Sequence, residues 1–183
     1  MDPPTLSLGR FQDAAAAPPL PTGAELARRS TGGGAIYHHA RSRVFALAVD
    51  TRVHPSARDP LRWYARTNRV LIAAFAALGA SAQVRDRQGS LPGDDTFLCF
   101  DRRERTDVVA LRDGTWAKLA GSAQRRTADG VLLHGAVSLA PGELAKGAIS
   151  LTEAAGRPID EAEWVAALLA AFRADGWSLE PSA

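Results

Sequence analysis

Four stretches of the sequence carry residue types that can do chemistry. The first is Arg28, Arg29, Ser30, Thr31, Gly32, Gly33 and Gly34 in unbroken order. Three consecutive glycines leave backbone N–H groups unobstructed, so an anion or a carbonyl oxygen can approach closely, and adjacent arginines could meet phosphates. The run has neither the Gly-Lys-Ser/Thr ending of a Walker A loop nor the spacing of a dinucleotide fingerprint. A tight turn with no ligand is the plain alternative. The second stretch is Cys99, the only cysteine, set between Leu98 and Phe100. A lone cysteine in an apolar segment is either inert filler or a nucleophile, and a nucleophile needs a nearby positive charge or base. Arg102, Arg103, Arg105 and Lys118 are close enough in sequence to provide one.

Lys118 opens the third stretch and precedes a turn-like Gly121-Ser122-Ala123-Gln124. It is one of only two lysines, with Lys146, in a chain that otherwise uses arginine for positive charge. An ammonium beside open backbone donors suits an acyl carbonyl or a phosphate, and the alternative is a surface lysine near a hairpin. The fourth is His134-Gly135 within Val-Leu-Leu-His-Gly-Ala-Val, where the histidine is a satisfied core residue or the wall of a pocket. His38 and His39 are adjacent, so in a strand they point to opposite faces and cannot share one metal without a bend. With one cysteine and no His-Glu-x-x-His pattern, a metal site is poorly supported.

These residues need a scaffold, and the patterning supplies one. Residues 3–11 predict a short strand, and the prolines of 14–23 predict a loop. Val44, Phe45, Leu47 and Val49 read as a buried strand. The clearest helix covers 60–78: Asp59 can cap it, Pro60 suits its first position and Gly79 its left-handed stop. Leu61, Tyr64, Leu71, Phe75 and Leu78 form its apolar face, interrupted by Asn68. A polar turn is expected at 86–95. The segment 97–139 predicts strands, with turns at Asp113-Gly114 and Ala128-Asp129-Gly130. A last helix covers 161–175, with Asp160 and Glu163 spaced as a capping box and Gly176 as terminator. Two helices against five or six strands make a two-layer α+β domain, one domain over 1–183.

Length and composition narrow the functional classes. A chain of 183 residues, 46% hydrophobic and 23% charged, is the size of one packed domain. Its charge is +2, too small to favour a polyanion in general. Residues 101–126 hold seven bases and four acids, +3, with no nucleic-acid motif, which fits a docking patch for a small acidic protein better than nucleic acid. One cysteine excludes an internal disulfide framework. Neither an 18-residue apolar run nor an export signal is present, so the expectation is a soluble, cytoplasmic protein without membrane partners.

Taken in order, these segments resemble the lipoate-protein ligase and octanoyltransferase family, whose fold is shared with biotin protein ligase. Pro-Pro-Thr-Leu-Ser-Leu-Gly-Arg-Phe-Gln at 3–12, the Arg-Arg-x-Thr-Gly-Gly-Gly-Ala-Ile-Tyr-His run from Arg28 to His38, Cys99-Phe100, Asp107-Val108-Val109, Lys118 to Arg126 and Leu-Leu-His-Gly at 132–135 recur in the family's sequence order. The resemblance spans most of 3–139 and implies a two-layer, mixed-sheet catalytic domain. It further implies that the glycine turn and the Lys118 segment enclose an octanoyl or lipoyl chain and its activated carbonyl, with His38, His134 and Gly135 in the binding wall. In the cysteine-type transferases of this family, a Cys-Phe pair takes the acyl group from acyl carrier protein. It then hands the group to a lysine of a lipoyl-carrier domain such as glycine cleavage protein H. Cys99 and Lys118 take the catalytic places in that reading, with the 121–123 N–H groups helping to hold the oxyanion, and no metal or nucleotide is required.

Two other readings stay open. One is the catalytic part of an ATP-dependent ligase, which would use ATP and Mg2+ and be completed by a partner chain. The other is a paralogue that binds an acyl group or a carrier without turnover. Several departures bear on them. The family's usual N-terminal strand and helix are expected to be missing ahead of residue 3, leaving room for a complementing chain. His39 stands where the family has aspartate, Leu133 where the transferases have glutamine, and Ala136 where they have serine.

Overall fold

The computed structural model describes residues 3–85, 96–141 and 147–179. The polar turn expected at 86–95 and Lys146 lie outside the described residues. Among the described residues, eight strands form two sheets rather than one. A small mixed sheet has β1 (Thr5–Leu8) at its centre, parallel to β2 (Glu25–Arg28) and antiparallel to β3 (Ile36–His38). A larger antiparallel sheet runs in the order β4 (Ser42–Asp50), β8 (Gly130–Ser138), β7 (Thr115–Arg126), β6 (Val108–Arg112), β5 (Ala82–Val84). The glycine run connects β2 to β3, so it lies at the margin of the small sheet.

Local signals account for most element boundaries. In α1 (Pro60–Ala77) the Asp59 carboxylate accepts hydrogen bonds from the Leu61 and Arg62 amides, and Gly79 follows with φ 89°. A cap of this kind contributes about 1 kcal/mol. In α3 (Glu161–Ala174) the predicted capping box forms: Asp160 accepts from the Glu163 amide while Glu163 accepts from that of Asp160. The Asp113-Gly114 turn has φ 51° and 75°, the doubly left-handed geometry whose twist matches an antiparallel hairpin. A short α2 (Leu151–Ala155) was not anticipated, although Ser150 and Glu153 form a capping box readable as Ser-x-x-Glu.

The core lies between the large sheet and α1 with α3. Trp63, Leu71 and Phe75 of α1 meet Leu119, Leu133 and Val137 of the sheet, and Phe75 stacks on Trp164 of α3 with ring centroids 5.5 Å apart. A separate small cluster of Leu6, Leu8 and Ala35 packs with Phe97 and Leu98 under the small sheet.

Two expectations need correction. β4 is not buried along its length: Phe45 and Val49 face the core, but Val44 is 50% exposed, because an edge strand pairing only with β8 keeps one face in solvent. Leu61 is also exposed, since it stands over a surface groove with Tyr64 and Asn68 rather than over the core. Asn68 interrupts the apolar face of α1, as expected. It is buried and donates to the Thr106 carbonyl at 2.8 Å, which ties α1 to the segment entering β6.

Candidate active site

Cys99 lies in a single helical turn, Cys99–Asp101, and not in a strand. The chain approaching it is held against the glycine run: the Ala35 amide donates to the Phe97 carbonyl at 2.8 Å, and the Cys99 amide donates to the Ala35 carbonyl at 2.7 Å. Close approach depends on Gly34. A Cβ there would stand 2.9 Å from the Cys99 nitrogen and 2.8 Å from Arg102 Nε. This is the backbone proximity for which a side-chain-free residue is required.

Lys118 is not at a turn. It sits inside β7 and is 1% exposed, with Ile149 N–H donating to its carbonyl at 2.9 Å from outside the sheet. Its ammonium points to three acceptors: Asp107 Oδ1 at 2.8 Å, the Cys99 carbonyl at 2.9 Å and Cys99 Sγ at 3.6 Å. The Phe100 ring lies 5.6 Å from Nζ and covers the same charge. Asp107 is itself buried, and burial pushes its carboxyl above the ordinary carboxylate range while Lys118 pulls it back. Gly121 makes room for the folded-over lysine, since a Cβ there would stand 2.5 Å from Lys118 Cε.

These groups line a cavity of about 350 Å³. Arg29, Gly32, Gly33, Gly34, Cys99, Lys118, Gly121, Ser122, Ala123, Gln124 and His134 all reach it, so most of the residues singled out in the sequence converge on one space. Past Ala120, β7 pairs with β8 alone, leaving its other edge turned to the cavity. The Gln124 amide on that edge faces the Tyr64 hydroxyl. Backbone groups alternate along a strand. Ser122 N–H therefore shares that edge, whereas those of Gly121 and Ala123 turn toward β8. Of the three amides expected to hold an oxyanion, one is presented. The Ser122 hydroxyl adds a donor that sequence reasoning did not single out, as it is buried without a hydrogen-bond partner among the described residues.

His134 bonds through Nε2 to Thr31 Oγ1, a short contact that clamps the glycine run to β8. Burial and the nearby Arg29 lower its pKa, so the ring is neutral at pH 7. His38 is buried outside the cavity lining, and burial, followed by the field of Arg29, lowers its pKa to about 4. Gly135 also lies off the lining, where it lets the Phe45 ring and the Gly121 carbonyl pass close to the β8 backbone. Ser30 is exposed and does not reach the cavity.

The guanidinium groups of both arginines donate to backbone carbonyls. Arg29 donates to the carbonyls of Ser7 at 2.8 Å, Gly32 at 2.9 Å and Gly34 at 2.6 Å, which sets the shape of the turn. Arg28 donates to the Gly9, Arg10 and Gln12 carbonyls at 3.1, 3.1 and 2.7 Å, on the other side of the small sheet's margin. His39 lies apart, beside a second cavity of about 150 Å³, with Nε2 2.9 Å from Ser138 Oγ and Nδ1 accepting from the Arg41 amide. No group of three or more His, Cys, Asp or Glu among the described residues is arranged to hold a metal ion. No described helix is long and apolar enough to cross a membrane.

Sequence reasoning assigned no role to Asp107, Tyr64 or Glu104, all of which line the cavity. Only Asp107 carried a signal, as an acid in one of the ordered motifs, eleven residues before Lys118.

The chain is similar to known proteins both in sequence and in structure. The family profile described as lipoyl protein ligase A/B catalytic domain matches residues 1–146. An Octanoyltransferase LipM from Moorella thermoacetica is 34% identical over 143 residues, covering 75% of this chain and 50% of the relative. Another Octanoyltransferase LipM, from Symbiobacterium thermophilum, is 31% identical over 211 residues, covering 98% of this chain and 74% of the relative. The chain spans about half the length of most curated relatives it matches. Among solved structures, a bi-partite lipoate protein ligase from Thermoplasma acidophilum, described with its E2 lipoyl domain, superposes with a TM-score of 0.70 at 22% identity. That match covers 94% of this chain and 67% of the other, and it shows the shared fold.

Proposed function

Because the chain belongs to the lipoyl protein ligase A/B catalytic domain family, we propose that it transfers an octanoyl or lipoyl group through a thioester on Cys99 to a lysine of a lipoyl-carrier domain. One observation carries this reading. The only thiol of the chain stands 3.6 Å from the buried Lys118 ammonium, on a cavity walled by the glycine run. That neighbourhood suits a nucleophile and not core filler.

The donor is the acyl thioester of acyl carrier protein. Cys99 Sγ attacks the thioester carbonyl, and a tetrahedral oxyanion forms. The Ser122 hydroxyl and the Ser122 N–H are the donors available to it, joined by Lys118 Nζ through the proton that its contact with Sγ gives up once the sulfur is bonded to carbon. Collapse breaks the bond to the carrier sulfur, which leaves with the proton that Sγ gave up. One thioester has replaced another, a nearly isoenergetic exchange. The amine of the acceptor lysine then attacks the acyl-Cys99 carbonyl. Collapse forms an amide and returns the sulfur, which takes the proton lost by nitrogen. Amide formation draws the sequence forward, and no nucleotide enters the balance.

The test is incubation with octanoyl carrier protein and an unmodified lipoyl domain, with and without ATP, read by intact mass. The protein gains about 126 Da, the octanoyl group in place of a thiol proton, without ATP. Cys99→Ser gains nothing. Transfer at the wild-type rate by Cys99→Ser, or transfer only with ATP, would overturn the reading.

A further inference from the structure

We propose that Asp107 is the positioning residue of this site, holding the Lys118 ammonium in the orientation that serves Cys99 during acyl transfer. The inference rests on the transfer reading above and assigns a role to a group outside that reaction sequence.

The two carboxylate oxygens of Asp107 have different partners. Oδ1 accepts from Lys118 Nζ at 2.8 Å. Oδ2 accepts from the Glu104 amide at 2.8 Å, and Arg85 Nε lies 3.8 Å away on the same side, beyond hydrogen-bond length. The Asp107 amide in turn donates to the Glu104 carbonyl at 3.1 Å, closing a reciprocal turn that fixes the side chain. Asp107 is thus anchored from behind while it faces the lysine.

The sheet is built around this contact. Val109 pairs with Lys118, but Val108 pairs with Ala120, so Leu119 is an extra residue on β7 at the position next to the lysine. A bulge re-aims the side chains beside it. Here the irregularity adjoins both members of the pair: Lys118 flanks it on β7, and Asp107 immediately precedes it at the start of β6.

Three ammonium protons meet three acceptors, two of which belong to Cys99. Asp107 supplies the third, and it is the one that does not move with the cysteine turn. A lysine with 1% exposure has almost no water to replace a lost partner. Buried ion pairs are seldom more stabilising than apolar packing. The stability of the fold therefore does not call for this pair, whereas fixing the ammonium beside the sulfur does. Of two other cations on the cavity lining, Arg29 donates to the carbonyls of Ser7, Gly32 and Gly34, and Arg102 Nε donates to that of Thr96.

Asp107→Asn tests the role. Asparagine has one acceptor end and one donor end, so it cannot serve the Glu104 amide and the ammonium together. The first readout is acetylation of Lys118 by a water-soluble acetylating ester, mapped by mass spectrometry and normalised to Lys146, the only other lysine of the chain. It is expected to rise at least fivefold. The second is single-turnover acylation of Cys99 by octanoyl carrier protein. Its rate is expected to fall at least tenfold, with the half-saturating donor concentration within twofold of wild type. Asp107→Glu, which keeps the charge one methylene further out, is expected to recover part of the rate.

A change in either readout without the other overturns the proposal, as does no change in both. If Asp107→Asn does not fold, Asp107→Glu carries the same readouts in the same directions. Failure of both variants to fold, while Lys118→Met folds, makes Asp107 a folding residue and also overturns it. Absence of acylation in the wild type sinks the transfer reading instead, and the lysine comparison still decides whether Asp107 holds Lys118.

Discussion

Lys118 folds back over Gly121, three residues along the same strand: a Cβ on Gly121 would stand 2.5 Å from Lys118 Cε and 2.9 Å from Nζ. A residue three positions along a strand lies too far for ordinary contact between extended side chains. The contact arises because the lysine bends along the sheet to reach Asp107 and Cys99.

Gly121→Ala therefore displaces the ammonium. Overpacking of this kind costs about 1–3 kcal/mol. The protein is expected to fold, with a melting temperature lowered by several degrees and Cys99 acylation reduced at least tenfold. Quenched acylation assays with octanoyl carrier protein check this. Wild-type rates in the Gly121→Ala protein would show that the lysine has room to spare.

Gly34→Ala acts on the other side of the sulfur. The new methyl meets the Cys99 nitrogen at 2.9 Å and forces apart the Cys99 amide and the Ala35 carbonyl, now 2.7 Å apart. Losing that hydrogen bond costs about 1 kcal/mol beyond the steric term. Faster amide hydrogen exchange at Cys99, together with slower acylation, is the expected pair of changes.

Arg29→Lys separates charge from shape. Both side chains carry one positive charge, but only the planar guanidinium can donate to the Ser7, Gly32 and Gly34 carbonyls at once. The variant is expected to lose about 1–3 kcal/mol of stability. It should also exchange the amides of residues 31–34 faster. A phosphate-binding role would instead leave stability untouched and weaken nucleotide binding.

His38 and His134 make the fold sensitive to acid. Burial and then Arg29 hold His38 at about 4, and the same two causes lower His134. The unfolded chain takes up these protons near the ordinary histidine value of about 6.5, and the folded one does so only at lower pH. Stability is thus complete above about 6.5 and declines as pH falls from there towards about 4, by on the order of 3 kcal/mol for His38. Urea titrations at pH 7.5, 6 and 4.5 measure it. His38→Gln is expected to flatten the decline, and an unchanged slope would reject the assignment.

Much of this protein is legible without its three-dimensional structure. Asp59, Pro60 and Gly79 mark α1, Asp160 and Glu163 start α3, and Asp113-Gly114 turns the β6–β7 hairpin, all as expected. Each depends on interactions among residues two to four apart, so residue type suffices. The ordered motifs likewise indicate the family, and the glycine run, Cys99, Lys118 and His134 do reach one cavity. What each group does there is not legible. In sequence Cys99 reads as a strand residue and Lys118 as the start of a turn, and nothing there indicates that Arg29 donates to the Ser7 carbonyl. Their actual states follow from partners far away in sequence: 19 residues from Lys118 to Cys99, 22 from Arg29 to Ser7, and 103 from Thr31 to His134. Composition and spacing specify which donors and acceptors the chain owns. Only the packed sheets decide which pair meets, because a buried polar group must take whichever partner the fold brings within about three ångströms.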